Sequence, residues 1–304
     1  MEFEVQNFTS LGHALTSLFG AEIQAAGMER IAGGDINEAY KLALTDGSYV
    51  FLKMNTEKNA PFFAAEALGL WAIQETGAIG TPHVFGVGKD SIGGQRRSFL
   101  LMEYMEGKKP VRDSWEIFGR QLAAMHRAKT GRFAPGGTFG FAQDNYIGAG
   151  SQKNGARDSW VEFFRDCRLE PQFRRAFPYF DAGERKKTGK LLEKMGDILA
   201  EPDYPSLLHG DLWAGNVITG NDGKVWLVDP AAYVGHAEAD LAMTELFGGF
   251  PQAFYKAYQE AAPLQPGYQQ RRDVYNLYHL LNHLNLFGQA YFSSVKRILE
   301  RYAP

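Results

Sequence analysis

The fold is decided by the stretch His209-Gly210-Asp211-Leu212-Trp213-Ala214-Gly215-Asn216, which Val228-Asp229-Pro230 follows at the end of a short apolar run. Asp211 and Asn216 stand five residues apart in a segment typical of a loop, and Asp229 supplies a second carboxylate farther on. In phosphoryl transfer, a carboxylate accepts the proton of the attacking hydroxyl, while an amide oxygen and a second carboxylate hold Mg²⁺ on the phosphates. The pattern therefore predicts Asp211 as the base, with Asn216 and Asp229 as metal ligands.

Gly, Asp and Asn also form ordinary turns, so a bare pair of Asp and Asn would indicate only a loop. Here an Asn221-Asp222-Gly223 turn joins two short β-type runs, residues 216–219 and 224–229. We expect this hairpin to hold the two metal ligands on adjacent strands. The complete string with its second carboxylate favours phosphoryl transfer over the simple turn.

A lysine and a glutamate earlier in the chain predict a nucleotide-binding pair. Lys53 lies in the apolar strand Val50-Phe51-Leu52-Lys53-Met54, where a lysine is otherwise out of place. Glu66 lies on a helix predicted over residues 61–76. Kinases use such a lysine–glutamate pair to position the α- and β-phosphates of ATP. The alternatives are an outward-facing lysine on an edge strand and a glutamate on a solvated helix face.

Glycines between two strand candidates suggest a second contact with phosphate. Gly33 and Gly34 would let backbone N–H groups approach phosphate oxygens. The segment matches neither G-x-G-x-x-G nor the Walker A sequence, so a hairpin turn explains it about as well. Asp35 is unexpected beside a triphosphate because its carboxylate would repel the phosphates unless it turned outward or capped the turn.

The character of the chain changes after Met105, at the polar, turn-forming residues 106–110. Residues 1–105 predict a small antiparallel sheet with one main helix, which we interpret as a nucleotide-binding lobe. Residues 106–304 are mostly helical and predict a catalytic and substrate-binding lobe. Its predicted elements are a long, glycine-rich loop over residues 131–156 and helices over residues 114–129, 159–177, 183–199, 238–246, 252–261 and 268–287. The backbone N–H and C=O groups expected to bind adenine belong to Met102, Glu103, Tyr104 and Met105, although a plain strand end would look the same.

The composition is that of an ordinary globular protein. The 304 residues are 45% hydrophobic and carry a net charge of -3, which gives no electrostatic case for nucleic acid or an anionic membrane as partner. Cys167 is the single cysteine, and no secretory signal is evident, so we expect a reducing cytoplasm. The longest apolar runs are far shorter than the roughly 20 residues that span a bilayer.

The chain resembles the aminoglycoside phosphotransferase and choline kinase branch of the protein-kinase-like fold, and within it the fructosamine kinase (ketosamine-3-kinase) family. Lys53, Glu66 and Asp229 carry the general resemblance together with the stretch 209–216, whose Trp213 is distinctive. Segments that resemble the family more specifically are residues 139–141, 144–148, 160–164, 229–236, 238–243 and 246–250. Ala214, where serine is frequent, and Asp35 depart from the family pattern.

The resemblance implies a bilobal α+β fold and an ATP- and Mg²⁺-dependent kinase. Its expected acceptor is a sugar hydroxyl, O3, of ketosamines such as fructosamine or ribulosamine adducts, which is compatible with protein deglycation. It also implies that Trp213 stacks on the sugar. Asp240 is expected to hydrogen-bond the backbone of the catalytic loop, and His209 to anchor the same loop.

Two alternatives stay open. Another small-molecule kinase, of choline or aminoglycoside type, would be expected to offer an aromatic cage or an acidic pocket for an amine. A non-catalytic nucleotide-binding protein would have no need of Asp211. The sequence does not say which ketosamine is preferred, whether it is free or bound to protein, or what the oligomeric state is. His279 and His283 lie four apart on a helix but lack the glutamate of H-E-x-x-H, so zinc is not expected.

Overall fold

The computed structural model describes residues 4–31 and 36–304, which form two compact units. One unit combines Met1–Ser114 with Ile218–Asp229, and the other combines Trp115–Val217 with Pro230–Pro304. The first unit extends beyond Met105 because the backbone N–H of Val111 donates to the carbonyl of Gly223 at 2.9 Å. This bond ties the turn-forming residues to the later piece of chain.

A six-stranded sheet organises the first unit, with strand order β1-β5-β6-β4-β3-β2. All neighbouring strands are antiparallel, except that β1 runs parallel to β5 at the edge. Lys53 lies on β4 opposite Leu100 of β6, well inside the sheet, so the edge-strand interpretation of Lys53 is wrong. The strands are β1 Asn7–Phe8, β2 Ala25–Ile31, β3 Glu38–Leu44, β4 Tyr49–Thr56, β5 Val84–Ile92 and β6 Gln95–Glu103.

Helices α1 (Leu11–Phe19) and α2 (Ala60–Gln74) cover opposite faces of this sheet. Successive side chains of a strand point to opposite faces, and β6 shows this directly. Phe99 and Leu101 belong to the apolar cluster that contains Leu15 of α1, whereas Leu100 and Met102 belong to the cluster that contains Phe63 of α2. The α2 helix begins where Pro61 occupies its first turn, a position that needs no backbone N–H.

The predicted hairpin around the Asn221-Asp222-Gly223 turn is present. Its strands are Val217–Thr219 and Val225–Leu227. The backbone N–H of Leu227 donates to the carbonyl of Gly80 at 2.9 Å. A Cβ at Gly80 would lie 2.4 Å from the Trp226 ring, so the indole can pack here only against glycine. This packing fixes the chain that leads into Asp229.

Nine helices and two short strand pairs are found among the described residues of the second unit. The predicted helix over residues 159–177 contains a π-helical turn, Phe164–Leu169, and the predicted loop 131–156 contains one of the strand pairs. No helix in the described ranges is both long and apolar enough to cross a membrane. The helices are α3 Ser114–His126, α4 Trp160–Phe163, α5 Glu170–Ala176, α6 Ala182–Glu193, α7 Met195–Ile198, α8 Ala237–Leu246, α9 Gln252–Ala261, α10 Tyr268–Phe287 and α11 Phe292–Tyr302, and the strand pairs are Asn145–Ile147 with Gly150–Gln152 and Ser206–Leu208 with Tyr233–Gly235.

A buried ion pair joins the first turns of α8 and α10. Glu238 is 0% exposed and Arg271 is 6% exposed. The guanidinium donates through Nε at 2.7 Å and through Nη2 at 2.6 Å to the two carboxylate oxygens. Such two-point pairing also fixes orientation. It therefore ties the start of α8, which carries Asp240, to the start of α10.

Replacing Glu238 with Ala should destabilise the protein strongly, because the Arg271 guanidinium would stay buried without its carboxylate. We expect the free energy of unfolding in urea to fall by about 3–5 kcal/mol. The control is Glu170→Ala, which removes the exposed partner of Arg174 one helical turn away. That pair should contribute no more than about 0.5 kcal/mol. Equal losses in the two variants would contradict this assignment.

Candidate active site

One carboxylate holds the backbone of the loop that follows strand Ser206–Leu208. Asp240, on α8, is 1% exposed. Its Oδ2 accepts the backbone N–H of His209 at 2.7 Å, and its Oδ1 accepts that of Gly210 at 2.9 Å. The carbonyl of His209 in turn accepts the N–H of Ala231 at 2.9 Å. The entry to the loop of residues 209–216 is thereby fixed on both sides of the backbone.

Asp240 is itself held by a histidine and a tyrosine. His126 Nε2 lies 3.2 Å from Oδ2 of Asp240, and His126 Nδ1 lies 2.7 Å from the Tyr258 hydroxyl. The network is complete if Nε2–H donates to Asp240 and Nδ1 accepts from Tyr258. Burial, the largest influence, would raise the pKa of Asp240, but the interactions with His126, His209 and the Gly210 N–H together outweigh it and hold the pKa below its usual value. The carboxylate is therefore ionised, which strengthens its bonds to the loop.

The loop depends on glycine at position 210. Gly210 has a φ of 81°, in the left-handed region, and a Cβ there would lie 2.1 Å from the carbonyl oxygen of Ala231. The next backbone N–H, that of Asp211, donates to Nδ1 of the buried His209 at 3.3 Å. This sharp turn brings the Asp211 carboxylate to the surface of the loop, where its side chain is 22% exposed.

The structure brings Asp211 and Asn216 together. The amide nitrogen of Asn216 donates to the backbone carbonyl of Asp211 at 2.8 Å and to its carboxylate Oδ2 at 3.1 Å. Both bonds use the nitrogen, so the amide oxygen can serve as a ligand for a hard cation. They also fix the Asp211 side chain and direct Oδ2 toward Asn216.

A histidine that the sequence analysis left without a role lies beside Asp211. His279 of α10 places its Nδ1 3.9 Å from the Oδ1 of Asp211. The two residues are far apart in the sequence, and no local pattern relates them. Only the packing of α10 against the loop reveals the neighbourhood.

Trp213 is a surface residue of the same loop. Its side chain is 38% exposed, so the alternative of a core tryptophan is wrong. A Cβ at Gly215 would lie 2.4 Å from the indole, so the glycine lets the ring lie against the loop. One edge of the indole meets Phe247, at 6.2 Å between ring centroids. The exposed face of the Trp213 indole thus belongs to the same loop and the same unit as Asp211.

In the first unit, Lys53 lies between two carboxylates. Its Nζ contacts Glu66 Oε1 at 2.6 Å and also pairs with Oδ1 of Asp229. Burial opposes the charge on Lys53, but the carboxylates of Asp229 and Glu66 outweigh it and raise the pKa of the ammonium. Burial raises the pKa of Glu66 to about 7, against the attraction of Lys53. The interpretation of Glu66 as a solvated helix residue is therefore wrong.

Asp229 adopts a backbone conformation that non-glycine residues avoid. Its φ is 55°, and no other non-glycine residue in the described ranges has a positive φ. Such strained residues cluster at functional sites, because the surrounding structure must hold them in place. Here the following residue is Pro230, and the side chain, 48% exposed, pairs with Lys53. The left-handed backbone conformation places the half-exposed Asp229 carboxylate at the Lys53 ammonium.

The remaining predicted nucleotide-binding residues differ in their burial and in their side-chain contacts. Met102 is 3% exposed and packs in the core beside α2. Glu103 ends β6, and its side chain accepts a hydrogen bond from the Asn221 amide at 2.8 Å. Tyr104 follows the strand, with the Lys41 ammonium 4.8 Å from its ring, and Met105 comes next. Gly33, Gly34 and Asp35 lie outside the described residues.

Comparison with known proteins identifies relatives along nearly the whole chain. A family model described as fructosamine kinase matches residues 7–303. A probable ketoamine kinase of Synechocystis sp. is 41% identical over 274 residues, which are 89% of this chain and 88% of the relative. A chloroplastic protein-ribulosamine 3-kinase of Oryza sativa subsp. indica is 39% identical over 287 residues, which are 93% of this chain and 80% of the relative.

Solved structures agree with these relatives. A Haemophilus somnus 129PT protein provisionally called a fructosamine-3-kinase aligns with a TM-score of 0.83 at 30% identity, over 97% of each chain. Macrolide 2'-phosphotransferase type I aligns with a TM-score of 0.60 at 14% identity, over 96% of this chain and 95% of that one. The second likeness concerns the fold alone. The predicted α+β, kinase-like fold is confirmed.

Replacing Asp240 with Asn should loosen the loop of residues 209–216. Asparagine has one accepting oxygen, so either the His209 or the Gly210 N–H would face an amide NH₂. We expect the free energy of unfolding to fall by about 1–3 kcal/mol, and the amide protons of His209 and Gly210 to exchange with solvent faster. The control is Glu245→Gln on the same helix, which contacts Tyr268 and Arg272 instead. If the control accelerates exchange at residues 209 and 210 equally, Asp240 does not hold the loop.

Proposed function

Because the chain belongs to the fructosamine kinase family, we propose that it phosphorylates a sugar hydroxyl of ketosamines such as fructosamine or ribulosamine adducts. The chain is an ATP-dependent phosphotransferase with an alcohol group as acceptor. The single observation that carries the assignment of the site is the pair Asp211 and Asn216, joined by two hydrogen bonds. The proposed acceptor atom is O3, since relatives are named ribulosamine 3-kinase and fructosamine-3-kinase.

Asp211 is the proposed base. Asn216 donates to its Oδ2, and Oδ1 is the oxygen proposed to receive the hydrogen of the acceptor hydroxyl. As that proton moves to Oδ1, the hydroxyl oxygen forms a bond to the γ-phosphorus of ATP, and the bond from that phosphorus to the β,γ-bridging oxygen breaks. ADP leaves with the bridging oxygen, the sugar keeps the phosphate, and Asp211 later returns its proton to solvent. Most of the catalysis comes from positioning the reactants.

Asn216 and Asp229 are the proposed Mg²⁺ ligands, and Lys53 with Glu66 the proposed phosphate-binding pair. The donors fit this role, because a carboxylate and an amide oxygen are hard ligands that suit Mg²⁺. The ion, when bound, would neutralise charge that develops on the transferred phosphate. Lys53 remains protonated between its two carboxylates and would contact the α- and β-phosphates.

Other proposed nucleotide contacts are backbone groups. The N–H and C=O groups at the end of β6 and just beyond it would bind adenine, as in kinases. The residues concerned are Met102, Glu103, Tyr104 and Met105. Gly33 and Gly34 are the proposed phosphate contacts of the glycine-rich turn.

Trp213 is the proposed platform for the sugar ring. The indole is exposed, rests against Gly215 and belongs to the loop that carries the base. An aromatic face can cover the apolar C–H groups of a sugar and exclude water from the reacting hydroxyl. His209 and Asp240 would support this site without contacting the acceptor.

A small amine and a protein are both proposed carriers of the acceptor, and the word protein in the name of the rice ribulosamine kinase supports the second source. We also propose a reducing compartment, the cytoplasm. Cys167 is the only cysteine and is buried, and burial raises the pKa of its thiol, which makes it a poor nucleophile.

The proposed activity predicts ATP-dependent ADP release with fructosamines or ribulosamines in a coupled assay, and little release with choline or an aminoglycoside. Asp211→Asn keeps the shape of the side chain but weakens its basicity. It should lower turnover at least ~100-fold, within the range of general-base and positioning effects.

Further measurements separate a base from other roles of Asp211, and a ketosamine from other acceptors. Binding of Mg·ATP and thermal stability should change little in Asp211→Asn, since the hydrogen bonds from Asn216 can still find an oxygen. Collapse of nucleotide binding would make Asp211 a metal ligand or a structural residue. Preferential phosphorylation of choline or an aminoglycoside would replace the ketosamine assignment.

Replacing Asp229 with Asn should weaken the Mg²⁺-dependent part of ATP binding. Asn tolerates a positive φ nearly as well as Asp, so the backbone strain is matched while the charge is lost. Calorimetric titration should show Mg·ATP affinity lower by at least ~10-fold, about 1.4 kcal/mol. Affinity for ATP in EDTA should fall much less. Unchanged Mg·ATP affinity in the folded variant would refute the metal assignment.

A further inference from the structure

A buried histidine that the proposed mechanism does not use lies next to the base. His279 on α10 is 4% exposed, and its Nδ1 lies 3.9 Å from Oδ1 of Asp211. That distance is too long for a hydrogen bond. Within the described ranges, Nδ1 has no hydrogen-bond partner at all. Buried polar atoms are rarely left in this condition, and one that points at a candidate base calls for a specific explanation.

The imidazole stays neutral in the working pH range. Burial, assisted by the neighbouring His283, lowers the pKa of His279 to about 3. A neutral ring carries one N–H donor and one acceptor nitrogen. His279 therefore does not form an ion pair with Asp211, but it can donate a hydrogen bond without losing its proton.

The distance between Nδ1 of His279 and Oδ1 of Asp211 allows one oxygen atom to bridge them. Atoms 3.9 Å apart can both lie about 2.8 Å from one oxygen placed to the side of the line joining them. A hydroxyl in that place can donate its hydrogen to Oδ1 of Asp211 and accept one from Nδ1 of His279. Its second lone pair stays available for attack on phosphorus.

The same helix also reaches the aromatic side of the loop. His283 lies one helical turn after His279, and its ring packs against Phe247 at 4.8 Å between centroids. Phe247 in turn meets Trp213. One face of α10 therefore runs from the base to the residues that pack against the indole, within a single unit.

We propose that His279 binds the acceptor, donating a hydrogen bond from Nδ1 to the hydroxyl oxygen that gives its proton to Asp211. This inference rests on the proposed function. His279 would orient the hydroxyl, so that its hydrogen faces the base and one lone pair remains for the phosphate.

The test compares His279→Leu, which removes the donor, with His279→Asn, whose amide NH₂ can replace it. Against the ketosamine that the unaltered protein phosphorylates best, His279→Leu should lower kcat/KM by roughly 10-fold, the size of one hydrogen bond. His279→Asn should recover most of that loss. The KM for ATP should stay within roughly 2-fold in both variants, because only an acceptor contact is removed.

The matched control is Asn276→Leu, one turn earlier on α10. Asn276 is also buried, and its Oδ1 has no hydrogen-bond partner among the described residues. It should change thermal stability without changing acceptor kinetics. An unaltered protein that phosphorylates no ketosamine overturns the proposed function itself. If that protein is active, unchanged kcat/KM in His279→Leu, or an equal rise in both KM values without rescue by Asn, overturns the role of His279 alone.

Discussion

The two carboxylate oxygens of Asp240 accept hydrogen bonds from two backbone N–H groups of the loop of residues 209–216, in an environment from which water is excluded. The loop has little regular secondary structure of its own, so these bonds replace the ladder that a strand or helix would provide. Asp211, Asn216 and Trp213 all lie within a few residues of the two N–H groups. Their positions therefore depend on one charge. His126 helps to keep that carboxylate ionised, and the pair of Glu238 and Arg271 ties the start of its helix, α8, to α10.

A second electrostatic constraint acts in the first unit, where a single ammonium serves two carboxylates. Lys53 satisfies both Glu66 and Asp229, yet Asp229 is half exposed and can accept further positive charge. Such a cluster would resist a bare triphosphate and admit one whose charge a divalent cation has reduced. The left-handed backbone of Asp229 suits this arrangement, because it keeps the carboxylate near the ammonium without burying it.

Features that depend only on neighbouring residues could be predicted from the sequence. The bounds of α9 and α10 were predicted as the structure has them, and glycines at 267 and 288 flank α10. Asp211 and Asn216 share one loop, so their spacing alone suggested that they belong to one site. The α11 helix was missed although Val295, Ile298 and Leu299 show helical spacing and are buried.

Other features could not be read from the sequence. Strand β1 has two residues, which is too short for any periodicity. The neighbourhood of His279 and Asp211 depends on how α10 packs, and the positive φ of Asp229 depends on constraints from both sides of the chain. Lys53 and Glu66 were predicted by analogy with kinases, since neither the apolar strand nor the helix by itself distinguishes a buried pair from two surface charges.

The division of the first unit into two separated pieces of chain has a consequence for the order of events during synthesis. Residues up to Ser114 leave the ribosome without Trp226, whose ring packs against Gly80, and without Asp229, which pairs with Lys53. At about 5–20 residues per second, the interval from residue 114 to residue 229 lasts roughly 6–23 seconds. Throughout that time the emerging sheet has an uncovered glycine and a lysine with one carboxylate instead of two. The cluster of Lys53, Glu66 and Asp229 is thus completed late in translation, only after Asp211 has been made.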